Sequence, residues 1–361
     1  MKPAMRVHSW IDERLGLDGM LKPFREKTVP VHRYSAWYLL GGITLFLFVV
    51  QICTGILLLL YYRPTTNEAF ESVQSITQHV QFGWLIRSLH SWSANLMVLC
   101  AFAHMFSVAF ARAYRKPREL TWISGVFLLF LVLGFGFSGY LLPWNTRAFF
   151  ATKVGTEVAG QLPLIGHLIM VMMRGGEDVS GATLTRFFGL HVVIFPATAA
   201  GMLTCHLWLV QKFGASLPPS VELQWKENPG HRKEMKFFPN FFLRELMGWY
   251  LVLGLLVCLA VFLPSELGVK ADPFASAPPG IKPEWYFLAQ FQTLKLIPSR
   301  ILFVDGEVLG ILGFGFGAAL LAGLPFVERL LGNRGRRGVQ IGIVIALSYL
   351  IVMSMLGYVA N

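Results

Sequence analysis

Charge is what this chain has least of. Of its 361 residues only 14% are Asp, Glu, Lys or Arg, while 55% are hydrophobic. A soluble domain carries about 25% charged residues. With a mean hydropathy of +0.56 and repeated apolar runs of about twenty residues, that shortage excludes an ordinary soluble protein and points to a polytopic membrane protein. Cysteine is scarce too. Cys53, Cys100, Cys205 and Cys258 all lie in apolar runs, where they read as small buried side chains. None forms a CxxC and no CxxCH occurs, which leaves no metal or covalent-attachment motif of those kinds. Residues 1–33 are charged and lack an apolar h-region, so no cleavable signal is expected there. Neither a tandem repeat nor a low-complexity tract is visible.

What is present is an all-α pattern of seven spans, at 34–62, 84–110, 121–141, 184–212, 247–263, 303–325 and 338–359. The formal charge of +11 does not indicate nucleic acid, because it is distributed by loop. Lys2, Arg6, Arg14, Lys22, Arg25, Lys27 and Arg33 precede the first span. Arg112, Arg115, Lys116 and Arg118 follow the second; Lys226, Arg232, Lys233 and Lys236 follow the fourth; Arg329, Arg334, Arg336 and Arg337 follow the sixth. The first alternate loop has only Arg63. This positive-inside pattern puts the N-terminus in the cytoplasm (or matrix or stroma) and the C-terminus on the opposite side, with some affinity for anionic lipid. Residues 1–33 read as a cytoplasmic-side amphipathic segment, with a surface helix in "HSWIDERLGLDGMLKPF" (8–24). Residues 34–215 read as a four-helix bundle, 216–246 as a polar, Pro-rich linker and 247–361 as a three-helix domain. The connection 142–183 is too short in its apolar middle to cross a bilayer and is expected to form short helices on the outer surface.

Ionisable groups inside a span are functional candidates. The second span carries His90 and His104, fourteen residues apart; the fourth carries His191 and His206, fifteen apart. On a helix these intervals cover roughly 21–23 Å and return to within about 40–60° of the starting face. Pro196 lies between the second pair, where a kink can absorb the one-residue difference. Spans two and four run parallel, so His90 faces His191 near the outer surface and His104 faces His206 near the inner one. Zinc usually takes four ligands, often with Cys or carboxylate, and these spans offer no such set to propose. Two imidazoles per level suit an iron whose other four ligands come from a macrocycle, a b-type haem at each level. Gly41 and Gly55 in span one, and Gly125 and Gly139 in span three, repeat the fourteen-residue interval. They are expected to leave room where the haem plates pass.

These residues, with "RSLHSWSANLMVLCAFAH", "RFFGLHVVIFPATAAGMLTCH", "GYLLPWNTRAFFATKV" and "KPEWYFL", resemble the cytochrome b subunit of quinol–cytochrome c reductase complexes over nearly the whole chain. "KPRELTW", "VPVH" and three spans after the linker look most like the plastid and cyanobacterial branch, where the equivalent chain is split in two. The resemblance implies that His90 and His191 hold an outer, low-potential haem, and His104 and His206 an inner, high-potential one. It places Arg87 near a haem propionate, and Pro283, Glu284, Trp285 and Tyr286 in a quinol pocket also lined by Tyr140, with Glu284 as proton acceptor. Two departures stand out. Leu39 occupies the position where the plastid-type chain carries a haem-linking cysteine, so no covalent c-type haem is expected. Gln211 and Lys212 stand where that branch has an arginine near the inner quinone site, for which His32, Arg118 and Lys212 are the candidates here.

The implied activity is oxidation of quinol at the outer face. One electron leaves to a Rieske iron–sulfur protein and the other crosses two stacked b haems to quinone at the inner face. The crossing opposes about 2.3 kcal/mol per 100 mV and contributes to proton translocation. A c-type cytochrome subunit, lipid and a second copy of the complex are the further partners implied, in a bacterial inner membrane. The competing expectation is a di-haem, quinone-reactive anchor of a dehydrogenase or hydrogenase, which needs no PEWY loop. A transporter using histidines as a proton relay is the second.

Overall fold

The computed structural model of the chain describes residues 3–16, 19, 22 and 25–360. Six helices there are long and apolar enough to cross a bilayer: Ser35–Leu59, Gly83–Phe110, Glu119–Leu141, Gly181–Phe213, Phe237–Phe262 and Arg337–Val359. A bent pair, Gly306–Ala322 and Leu324–Gly332, turns through 72° and gives the seventh if counted as one span. The protein is therefore an all-α, polytopic integral membrane protein.

Two spans differ from expectation. The fifth starts ten residues early, at Phe237 rather than 247: Phe237, Phe238, Phe241 and Phe242 are apolar, but Arg244 and Glu245 hide the start from a hydropathy reading. The sixth starts late. Residues 300–305 form a small antiparallel ribbon, Arg300–Ile301 against Val304–Asp305. The helix begins at Gly306, capped by Asp305, whose carboxylate accepts from the Glu307 N–H at 2.8 Å. Its 17 residues reach about 25 Å, short of a ~30 Å hydrocarbon core.

The N-terminal helix runs Pro3–Leu15, earlier than the expected 8–24; residues 17, 18, 20, 21, 23 and 24 of that expectation lie outside the described residues. The connection after the third span does form short helices, Thr146–Gly160 and Gly166–Arg174. Asn145 caps the first by accepting from Ala148 N–H at 2.9 Å. Arg174, 2% exposed, pins the hairpin. It donates to Thr156 Oγ1 (2.7 Å), to the carbonyls of Lys153 (2.8 Å) and Glu177 (2.6 Å) and to Glu157 (2.7 Å). A buried aromatic cluster of Trp144, Phe149, Phe150 and Phe187 seats this cap on the ends of the spans. Water drives such burial in the cap; within hydrocarbon, helices associate by packing and hydrogen bonding instead.

The first span packs on the second, the third on the fourth and the second on the third, so spans one to four form a bundle. The fifth lies against the first and second. At the opposite end the linker folds back: Glu234–Lys236 pairs antiparallel with Thr28–Pro30, Met235 opposite Val29. A buried cluster closes the seam to the sixth span. Arg112 and Tyr114 both donate to Glu328, and Trp122 Nε1 donates to the Leu321 carbonyl at 2.7 Å.

Candidate functional site

His90 and His191 meet across the bundle with ring centroids 6.4 Å apart. His104 and His206 form a second pair within electrostatic reach of each other. His191 sits in a π-helical turn, Leu190–Ile194, just before Pro196. Pro196 has no N–H for the carbonyl one turn back, and a π turn accommodates one extra residue. The fifteen-residue interval of the fourth span thus faces the fourteen-residue interval of the second.

The four glycines lie against the histidines one by one. A Cβ on Gly55 would stand 3.3 Å from His90 Cε1, and one on Gly139 2.6 Å from His191 Cε1. One on Gly41 would stand 3.1 Å from His104 Cε1, and one on Gly125 3.2 Å from His206 Cε1. Each glycine lets an imidazole close against its helix backbone.

Three rings are fixed at Nδ1 by a hydroxyl: Thr54 Oγ1 at 2.9 Å from His90, Ser138 Oγ at 3.1 Å from His191 and Ser124 Oγ at 2.9 Å from His206. Each hydroxyl donates its one proton to a carbonyl of its own helix, of Val50, Phe135 and Thr121 respectively. A hydroxyl that spends its proton there can accept from the ring in the tautomer with the hydrogen on Nδ1 and the lone pair on Nε2. That tautomer is the one a metal needs. His104 Nδ1 is buried with no partner. Gln51 braces the outer level, donating to the His90 carbonyl (2.5 Å) and to Ser93 Oγ (2.6 Å).

Beside the outer pair, Pro283 and Glu284 lead into a short turn, Trp285–Phe287. Burial pushes the Glu284 carboxyl above its ordinary range. Tyr140, at the end of the third span, lies within electrostatic reach of Glu284. Burial, with Glu284 and Tyr140 adding, raises the Tyr286 phenol; its ring rests against Gly136, where a Cβ would stand 2.5 Å from the hydroxyl. Trp285 Nε1 donates to Asn95 Oδ1 at 2.7 Å, and Asn95 Nδ2 donates to the Ser91 carbonyl at 3.0 Å. Arg87 binds the carbonyls of Ser265 (2.6 Å) and Glu266 (2.9 Å), tying the second span to the loop after the fifth.

The inner-side candidates only partly converge. His32 Nε2 is 2.8 Å from Tyr38 OH, which donates to the Ser216 carbonyl at 2.7 Å. Arg118 donates to the Phe213 carbonyl at 2.8 Å beside them. Lys212 instead turns over the rings of Trp208 and Phe213. Glu245, counted as linker in the sequence reading, points into the bundle against Gly42, next to the glycine that faces His104. An acidic residue one turn before an apolar run was the available signal. The hydroxyl partners also had one: Thr54, Ser124 and Ser138 each directly precede a bundle glycine, and Leu40 stands in that place before Gly41.

Comparison with known proteins gives the class. The family model described as cytochrome b/b6/petB matches residues 25–214, and that described as cytochrome b(C-terminal)/b6/petD matches 270–361. The cytochrome bc complex cytochrome b subunit of Chlorobaculum thiosulfatiphilum is 49% identical over 90% of this chain and 74% of its own length. The menaquinol:cytochrome c reductase cytochrome b subunit of Bacillus subtilis is 42% identical over 59% of this chain and 98% of its own. A solved structure titled hyperthermophilic respiratory Complex III superposes with a TM-score of 0.85 at 31% identity, covering 98% of this chain and 91% of that one. The chain belongs to the cytochrome b/b6 family, with the N- and C-terminal parts of that family in one polypeptide. Membership implies haem b and a quinone. The donor set fits haem: each level offers two imidazoles, and no group of three or more His, Cys, Asp or Glu that could hold a metal occurs among the described residues.

Proposed function

We propose that the chain is the cytochrome b subunit of a quinol–cytochrome c reductase, holding two non-covalent haems b, one between His90 and His191 and one between His104 and His206. The observation that carries the reading is the pair of facing histidine levels with a buried carboxylate and two tyrosines at one end. Bound there, the haems supply one-electron carriage across the bilayer.

The chain's residues do the rest. Pro283, Trp285, Tyr286 and Tyr140 shape an apolar, water-poor pocket for the quinol head at the outer face. Glu284 in its ionised form accepts a proton from the quinol hydroxyl and releases it outward. A carboxylate base loses function as the pH falls through its pKa, and burial moves that limb above the ordinary carboxylate range. Arg87, with donors to spare beyond its two carbonyls, stands by as a partner for a haem propionate. At the inner face His32, Tyr38, Arg118 and Glu245 are the groups available to bind quinone and deliver protons to it. The positive-inside pattern places the N-terminus in the cytoplasm of a bacterial inner membrane. A Rieske protein and a c-type cytochrome take the outgoing electron in a homodimeric complex. The relatives' names, with cytochrome bc complex and menaquinol:cytochrome c reductase among them, support these assignments.

Glu284→Gln tests the reading. Quinol oxidation is expected to fall by roughly 100-fold or more, the scale of a general base, with both haem spectra intact. Normal turnover in that variant would instead favour a di-haem anchor without the split of electrons. Absence of b-type absorption from the purified protein would remove the haem assignment itself.

A further inference from the structure

Of the four histidines, three have Nδ1 within 2.9–3.1 Å of a hydroxyl on the residue directly before a bundle glycine, and with Nε2 as the ligand that Nδ1 is the donor. The fourth, His104, faces Gly41, and the preceding residue is Leu40. The ring orientation follows the same division. Seen from Gly55, Gly125 and Gly139 the nearer ring nitrogen is Nδ1, at 3.9, 3.7 and 3.1 Å from a built Cβ. From Gly41 it is Nε2, at 3.4 Å, with Nδ1 at 3.6 Å. The outer level thus has both Nδ1 groups hydrogen-bonded and the inner level only one.

We infer that the residue before each bundle glycine tunes the electron affinity of its level, and that Leu40, by leaving His104 Nδ1 without an acceptor, raises that of the inner centre. The inference rests on the proposed ligation. A hydrogen bond accepted from Nδ1–H makes the imidazole a stronger donor at Nε2. Stronger donation stabilises the oxidised metal more than the reduced one and lowers the reduction potential. Two such bonds act on the outer level and one on the inner, a difference that favours an electron moving from outer to inner. The apolar side chain at residue 40 acts in that direction, because the ring nitrogen it leaves unpaired is buried.

The test is a potentiometric titration of the b-type bands in the purified complex, with haem content measured in parallel. Leu40→Thr supplies the missing acceptor and is expected to lower the inner potential alone. A hydrogen bond of ordinary strength changes the preference for the oxidised form roughly three- to tenfold, or about 30–59 mV for a one-electron couple at 59 mV per tenfold. Thr54→Val, which keeps the shape and removes the acceptor, is expected to raise the outer potential by a similar amount. Both variants narrow the gap from opposite sides. Full haem content with both potentials unmoved, or with a shift of opposite sign, overturns the tuning role and leaves the ligation standing. Wild-type protein with no haem at either level would overturn the ligation instead.

Discussion

At one end of the bundle, the proposed outer one, the groups proposed to face the quinol come from one short motif and the end of one span: Pro283 to Tyr286, and Tyr140. A folded cap covers them, built on Trp144, Phe149 and Arg174. At the inner end the comparable groups come from three separate stretches. His32 and Tyr38 precede and open the first span, Arg118 precedes the third, and Glu245 opens the fifth. Long-range contacts hold those stretches together: the ribbon of Thr28–Pro30 on Glu234–Lys236, Tyr38 on the Ser216 carbonyl and Arg118 on the Phe213 carbonyl. One site is a local motif placed on a rigid cap; the other exists only once the chain has folded back on itself. Removing a ligand from one level should therefore leave the other level standing. His191→Ala and His206→Ala are each expected to lose roughly half of the bound haem, since a bis-imidazole centre lacks any other protein ligand at its level. Loss of both haems from either variant, measured as pyridine haemochrome per chain, would show that the levels fold as one unit.

The cap is the next largest contrast. Arg174→Ala strips partners from Thr156 and two backbone carbonyls in a nearly dry site, which costs about 2–4 kcal/mol by the usual penalty for unmade buried hydrogen bonds. Its thermal unfolding in detergent should fall, and quinol oxidation should suffer before quinone reduction does. Equal loss at both ends would mean that the cap supports the whole bundle and not the outer site alone.

How legible each end was follows from the same difference. The histidine intervals, the glycine intervals and PEWY all lie within single segments, where helical period turns spacing into position. The hydroxyls of Thr54, Ser124 and Ser138 were one residue from glycines already singled out. They were passed over because Ser and Thr inside a span usually bond their own helix, which these do as well. Glu245 was lost for another reason: a hydropathy window treats a carboxylate as an end to a span, although it sits here on a helical turn flanked by apolar residues. The 72° bend after Ala322 has a signal in the run "AGLP", but the contact of Arg112 and Tyr114 with Glu328 beyond it is tertiary, between residues 216 and 214 positions apart.

Within the His90–His191 level the two glycine contacts also differ in tightness. A methyl on Gly139 would stand 2.6 Å from His191, closer than a Cβ tolerates, whereas one on Gly55 would stand 3.3 Å from His90. Gly139→Ala is therefore expected to displace a ligand ring and weaken outer haem retention, with about 1–3 kcal/mol of overpacking. Gly55→Ala, where the His90 ring need yield only a few tenths of an ångström, should cost less. Equal haem loss from the two would mean that the methyl meets the haem plate rather than the imidazole.

The smallest effect expected concerns the tie between the outer motif and the second span. Asn95 holds Trp285 from five residues past His90, about 7.5 Å further along the helix. Asn95→Ala removes the acceptor for the indole N–H and should slow quinol oxidation roughly two- to tenfold, with haem spectra unchanged. The pH profile carries the more specific signature. Glu284 faces the Tyr140 and Tyr286 phenols, with Arg147 beyond Tyr140, and burial is what raises its carboxyl. A loop released from Asn95 admits water, the carboxyl drops back toward its ordinary range, and the acid limb of the rate moves to lower pH. Trp285→Phe removes the same hydrogen bond from the other side, so the double variant should be no slower than the worse single one. Additive losses, or an acid limb that stays where it was, would show that Asn95 only packs against the loop and does not set the environment of Glu284.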